Sequence, residues 1–135
     1  SKSLSYKDLI KPGHINTEHA RYELHRVWKV EASLKEGKRH IYKKRVFYLD
    51  EDSWIILTAD SYDNRDEIWR VAEAHNKYFF DASSIVPTVE VNYDLVSRRY
   101  LATGLANEES VKFNFNKTFS TKDFTPAALR RSSKR

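Results

Sequence analysis

The sequence contains no cysteine, which excludes disulfides, thiol catalysis, zinc–thiolate sites and a lipid-anchor cysteine on this chain. Glycine and proline are scarce, with three of each, so a loop-rich or repetitive protein is disfavoured. No apolar run approaches the roughly 18 residues that a membrane-spanning helix needs. Methionine is absent and residues 1–10 hold no apolar signal core, so we expect a processed form or a piece of a longer protein.

The chain is long enough for one domain with a real core, since it has 135 residues and 13% aromatic residues. The formal net charge is +5, and residues 130–135 supply four of the positive charges. A basic tail of this kind can contact nucleic acid or anionic lipid, but a solvated terminus is the better interpretation. We therefore divide the chain into an irregular leader (1–20), a β-sheet domain (21–119) and a short helical turn with a basic tail (120–135).

Alternation of apolar and polar residues begins near residue 21 and predicts strands rather than helices. Short polar turns separate the alternating segments, so sequential strands are expected to pair antiparallel. The segment 67–80 also fits a helix, but the strand–turn rhythm favours a strand. Thr125 as N-cap and Pro126 at the first helical position predict one helical turn. The fold class is mainly β, an antiparallel meander of about seven strands with little helix: 21–34, 39–49, 54–62, 67–80, 88–95, 99–105 and 111–115.

The central predicted strands carry apolar residues on both sides, where a sheet with one wet face would alternate cleanly. Residues 39–49 place Phe47 and Leu49 on one side and Val46 and Tyr48 on the other. Something must therefore cover the second face. The sequence offers no long amphipathic helix, which leaves a missing part of the protein, a second copy or an apolar ligand.

No constellation of residues indicates catalysis. The sequence has no G-x-S-x-G elbow, phosphate-binding loop or dinucleotide-binding glycine pattern, and Gly104 is expected to mark a bulge or close packing. We expect no metal site, no cofactor and no enzymatic activity. The histidines stand in no metal-ligand spacing: His14, His19, His25, His40 and His75.

Nucleic-acid binding is a less favoured alternative. Residues 39–48 mix basic and aromatic side chains, as single-strand-binding surfaces do. However, Lys and Arg also keep the outer face of a sheet soluble and protect its edges. We therefore expect no nucleic-acid partner.

Several stretches resemble one bacterial family of unknown function, described as outer-membrane lipoprotein-sorting proteins and similar to LolA/LolB-type lipoprotein carriers. The shared element is an aromatic-apolar-Asp stretch, a turn, a Trp, an apolar strand and Tyr-Asp, which spans 47–63 here. The other matching pieces are 22–28, 37–42, 68–70, 93–95 and 124–131.

The resemblance implies a curved, incomplete β-barrel whose cavity takes lipid acyl chains, in the periplasm or at the outer membrane. It also implies that this chain is the C-terminal part of a longer protein. Its partners would be a lipid or lipidated protein, with the N-terminal part of the barrel or a second copy in a homodimer closing the wall. The alternative is a structural or protein-interaction domain without ligand. The candidate apolar lining residues are Trp28, Val30, Phe47, Leu49, Trp54, Ile56 and Trp69.

Overall fold

Six antiparallel strands form one sheet in the computed structural model, which describes residues 4–110 and 113–133. Each strand pairs with the next along the chain, so the predicted meander is confirmed. The sheet does not close, because β1 and β6 lie at opposite ends of the strand order. The strands are β1 (Val27–Ser33), β2 (Lys44–Asp50), β3 (Ile56–Tyr62), β4 (Ile68–Phe79), β5 (Ser84–Asp94) and β6 (Arg99–Thr103).

The first two strands are shorter than the alternation predicts. Pairing begins at Val27 opposite Asp50 and ends at Ser33 opposite Lys44. Arg26 and Lys43 still form backbone hydrogen bonds just beyond this overlap, but the alternating residues 21–25 and 39–42 have no neighbouring strand with which to form a ladder. A strand therefore extends only as far as its partner does, which the alternation of one segment cannot show.

The ambiguous segment 67–80 is a strand, β4, and it pairs with β3 on one side and β5 on the other. The predicted strand 88–95 begins too late. β5 begins at Ser84, and Pro87 lies inside it opposite Asn76. The register shifts between His75 and Asn76, and such an irregularity accommodates a residue without an N–H. The connection between β4 and β5 is only a 3-10 turn, Phe80–Ala82, followed by Ser83.

The predicted seventh strand, 111–115, is not found. Residues 111–112 lie outside the described part of the chain, and residues 113–115 form no strand. Instead, Phe113 and Phe115 place their ring centroids 4.9 and 5.0 Å from that of Phe79.

Both α-helices of the described chain are short. The predicted helical turn is α2 (Pro126–Ser132), where the Thr125 hydroxyl accepts a hydrogen bond from the Ala128 N–H at 3.2 Å. The leader, predicted to be irregular, contains the four-residue helix α1 (Tyr6–Leu9).

The leader covers part of one face of the sheet, which we call the covered face. Val46 and Val91 on this face are 2% and 0% exposed, and Ile15 of the leader is 8% exposed. The Tyr100 hydroxyl donates to the Lys11 carbonyl oxygen at 2.8 Å and thereby ties the leader to β6. The chain's own leader therefore covers part of this face, an arrangement that the sequence pattern did not predict.

Candidate functional site

The opposite side of the sheet, which we call the open face, carries a mostly apolar row of side chains across its strands. Directly opposed residues of antiparallel strands project to the same side, so the strand register shows which side chains lie on each face. One row crosses all six strands and contains a single polar residue, Asn92. The row is Val30, Phe47, Ala59, Ala72, Asn92 and Leu101, and a neighbouring row adds Trp28, Leu49 and Ile56.

Large side chains of the open face are exposed to solvent. Trp28 is 54% exposed, Val30 45%, Ile56 44% and Leu101 61%. Phe47 is half-buried between β1 and β3. Isolated exposed apolar residues are ordinary, but contiguous ones mark a surface that contacts a ligand, a lipid or another protein.

The structure brings together five of the seven predicted lining residues. Trp28 and Val30 of β1, Phe47 and Leu49 of β2, and Ile56 of β3 share the open face, because each pair lies directly opposite in the register. Alternation predicts this grouping once the strands pair in sequence order.

The other two predicted lining residues lie elsewhere. Trp54 is in the turn between β2 and β3, has a φ of 60° and is 67% exposed. Trp69 lies at the register shift near the start of β4, where its indole N–H donates to Asp94 Oδ2 at 3.1 Å. That hydrogen bond and the edge-to-face contact with Tyr42 give Trp69 a structural role.

Sequence reasoning missed three members of the open face: Ala59, Ala72 and Leu101. Alanine is only weakly apolar, and Leu101 lies in the short predicted strand 99–105, whose faces the sequence did not assign. The signal that finds them is the cross-strand register, in which Phe47 faces Ala59 and Asn92 faces Leu101.

A second row, which contains the charged residues of the open face, lies beside the apolar row, two residues away on each strand. It runs Ala32, Arg45, Ser61, Arg70, Asp94 and Arg99. Asp94 Oδ2 accepts from the Arg70 Nε at 3.2 Å, and Asp94 Oδ1 accepts from the Ser97 N–H at 2.8 Å. The Ser97 backbone N–H and then the Arg70 guanidinium lower the pKa of Asp94 to about 2. The Arg70–Asp94 pair is therefore ionised at neutral pH.

The covered face holds a hydrogen-bonded group centred on Glu73. Its carboxylate accepts from the Tyr93 hydroxyl at 2.9 Å and the Tyr22 hydroxyl at 3.4 Å. Burial and the Glu73 hydrogen bond raise the pKa of Tyr93, so its phenol stays protonated and is unsuited to act as a nucleophile or base. His75 Nε2 lies 3.3 Å from Glu73 Oε1, but the angle is too poor for a hydrogen bond.

A second polar anchor fixes the entry to β1. Asp50 is only 5% exposed and accepts from the Ser53 hydroxyl at 2.6 Å and the Ser53 N–H at 2.9 Å. His25 Nδ1 lies 3.0 Å from Asp50 Oδ1. The Ser53 hydrogen bonds and then the His25 contact lower the pKa of Asp50. This group holds the end of β2 against the segment that leads into β1.

An open groove of about 820 Å³ lies beside β6, between the leader and the sheet edge. Leu101 and Arg99 reach it, so it adjoins one end of the open face; Ile10 and Pro12 line the leader side. Across residues 4–110 and 113–133, no three His, Cys, Asp or Glu side chains are grouped to hold a metal ion. No helix within these ranges has the length and apolar content to cross a bilayer.

Two solved structures share this fold at low sequence identity. A domain assigned to outer-membrane lipoprotein sorting, from Vibrio parahaemolyticus, matches with a TM-score of 0.53 and 16% identity, over 78% of this chain and 42% of that chain. A DUF1329 family protein from Desulfovibrio piger matches with a TM-score of 0.51 and 17% identity, over 76% of this chain and 40% of that chain. At such identity the likeness concerns the fold alone.

The molecule is thus an open antiparallel sheet of the kind found in a lipoprotein-sorting-type domain, with one face covered and one apolar face exposed. The DUF1329 model, a family of proteins of unknown function, matches residues 1–130, and the chain belongs to that family. It is 52% identical over 132 residues to the uncharacterised protein PA3922 of Pseudomonas aeruginosa. The match covers 98% of this chain and 29% of PA3922, so the chain spans less than a third of that relative.

Proposed function

We propose that this chain supplies an apolar wall that holds the acyl chains of a lipid or lipidated protein. The observation that carries the proposal is the open face, where Trp28, Val30 and Leu101 remain exposed in a mostly apolar row. A folded protein stabilises itself by burying such side chains, so their joint exposure indicates an apolar occupant.

The energetics of acyl binding suit this surface. Each methylene removed from water contributes roughly 0.8 kcal/mol, and non-polar contact needs no directional partner. A few methylenes laid over Val30 and Phe47 on neighbouring strands would therefore give measurable affinity. No residue of the open face needs to act as an acid, a base or a nucleophile, so the proposed role is binding without catalysis.

The fold comparison supports a carrier-type role, because one structural neighbour is a domain assigned to lipoprotein sorting in the outer membrane. We extend this to a location in the periplasm or at the outer membrane. An acyl carrier in that compartment would shelter lipid on its way through water.

The test uses the absence of cysteine, which lets one introduced thiol carry an environment-sensitive fluorophore. Val30→Cys places the label on the open face, and Glu31→Cys places it on the other side of the same exposed strand. Each labelled protein is titrated with a lysophosphatidylcholine below its micelle concentration. We expect a saturable blue shift at position 30 and no shift at position 31.

A blue shift of equal size at both positions, or at neither, would contradict binding on the open face. Native mass spectrometry of the unlabelled chain with the same lysolipid gives the stoichiometry. A discrete protein–lipid complex is expected, and its absence at saturating lipid would reject the proposal.

A second candidate is docking of the open face on another part of a longer protein. The observation that favours it is the 29% coverage of PA3922, which leaves ample chain to cover this surface. The same labels distinguish the two. A position-30 signal that is already blue-shifted in the longer protein, and is unchanged by lipid, would indicate docking of this kind.

A further inference from the structure

We infer that the arginine row, Arg45, Arg70 and Arg99, selects lipids whose headgroup carries a net negative charge. This inference rests on the proposed function and names the class of lipid that the open face prefers. Each arginine is two residues along its strand from an apolar member of the open face: Arg45 from Phe47, Arg70 from Ala72 and Arg99 from Leu101.

The spacing matches an amphiphile that lies across both rows. Residues two apart on a strand project from the same face and lie roughly 7 Å apart. Each arginine therefore sits beside the apolar row and on the same side of the sheet. A lipid with its acyl chain on the apolar row would bring its headgroup to the nearest guanidinium group of the arginine row, since these groups extend beyond their own backbone positions.

Arg70 is paired with Asp94, but the other two arginines of the row keep their charge unpaired among the described residues. In residues 4–110 and 113–133, Arg45 and Arg99 form no ion pair with a carboxylate. The carboxylate of the row, Asp94, is occupied by Arg70 and the Ser97 N–H. Glu90 is the other strand carboxylate on this face, and it is four residues, roughly 13 Å, from Asp94 along β5.

Tyr42 joins two of the arginines into one group. The Arg70 Nη1 donates to the Tyr42 hydroxyl oxygen at 2.8 Å, and the Arg45 guanidinium carbon lies 5.1 Å from the centre of the Tyr42 ring. The guanidinium of Arg70 also lies 4.4 Å from the Trp69 ring. These contacts hold two planar donors above the same part of the sheet, an arrangement that suits a phosphate group.

The occupant is a lipid headgroup rather than a free phosphate because the arginines border an apolar row. A soluble anion would gain nothing from Phe47 and Leu101, whereas an anionic lipid contacts both rows at once. At Arg99 the arrangement continues into the groove beside β6, which is lined by Leu101 and by Ile10 of the leader.

The experiment compares lysophosphatidylglycerol with lysophosphatidylcholine of the same acyl chain, using the label at position 30. We expect the glycerol lipid to bind roughly tenfold more tightly at low salt, since contacts between exposed charges are individually modest. This preference should decline as salt screens the charges. The variants Arg45→Gln and Arg99→Gln should each reduce it, and together they should abolish it.

Arg130→Gln is the control, because it removes one positive charge from α2, which is not part of the sheet. It should leave the lipid preference unchanged, and circular dichroism should show that every variant retains the β-sheet spectrum. Inorganic phosphate at the same concentration should fail to displace either lipid.

The outcomes separate the two proposals. If neither lipid binds the unsubstituted chain, the proposed function itself is rejected. If both lipids bind but the preference is absent, or survives the double substitution, the arginine inference alone is rejected. Displacement by inorganic phosphate at equal concentration would also overturn it, since the row would then be a simple anion site.

Discussion

Replacing Gly104 by alanine should weaken the attachment of β6 to β5. A Cβ built at this position would lie 2.2 Å from the Thr88 carbonyl oxygen, and the backbone has a φ of +78°. The oxygen belongs to the backbone of β5, so it cannot rotate away as a side chain would. The isolated glycine in a predicted strand indicates a bulge or close packing, and close packing is confirmed.

Two costs add in this variant. A left-handed backbone conformation costs an alanine about 1–2 kcal/mol. The overlap requires the strands to separate by roughly 1 Å, and over-packing of this kind costs about 1–3 kcal/mol. We therefore expect Gly104→Ala to lower the free energy of unfolding by about 2–5 kcal/mol, a large part of the 5–15 kcal/mol that is typical of domains.

The assay is equilibrium unfolding in urea, and Gly37→Ala is the matched control. Gly37 also has a positive φ, +73°, but no atom lies within 4 Å of its added Cβ. Gly37→Ala should therefore show only the backbone cost, about 1–2 kcal/mol. Equal losses for the two variants would refute the contribution of the Thr88 contact.

Two further predictions concern the polar anchor and the open face. Because the folded pKa of Asp50 is lowered, its contribution to stability is complete above its unfolded pKa, near 4, and is lost as the pH falls through the folded value. In Asp50→Ala this acid-dependent part should be smaller in urea titrations between about pH 2 and pH 7. Trp28→Ala should scarcely change stability, yet weaken lysolipid binding by up to about 70-fold if roughly 100 Å² of its surface contacts lipid. Phe80→Ala, at an 84% exposed ring in the turn between β4 and β5, should leave binding unchanged, and equal losses in both would contradict an acyl site at Trp28.

The fold was predictable from the sequence where the side-chain pattern alone determines it. Alternation in 54–62 and 67–80 indicates strands, and short polar turns order them into a meander. The ends of β1 and the position of Pro87 inside β5 depend on where the neighbouring strand stops or bulges. A single segment carries no record of its neighbour's register, so those features were mispredicted.

The candidate site divides in the same way. Trp28, Val30 and Phe47 are large apolar residues that stand out in an alternating segment. The arginine row cannot be recognised from spacing along the chain, because Arg45 and Arg99 are brought onto one face only by the pairing of five consecutive strands. Likewise, an isolated apolar residue such as Ile15 in a polar leader gives no periodic signal that it covers the sheet.

Because every residue of β1 is exposed, this strand should open more easily than the strands inside the sheet. All seven residues of this strand are exposed, and β2 is its one strand partner in the described chain. Local opening is least costly where few apolar contacts must break. Amide hydrogens of β1 should therefore exchange with solvent sooner than those of β4, which is paired on both sides. Since Trp28 and Val30 belong to β1, this end of the open face can shift locally to fit occupants of different bulk.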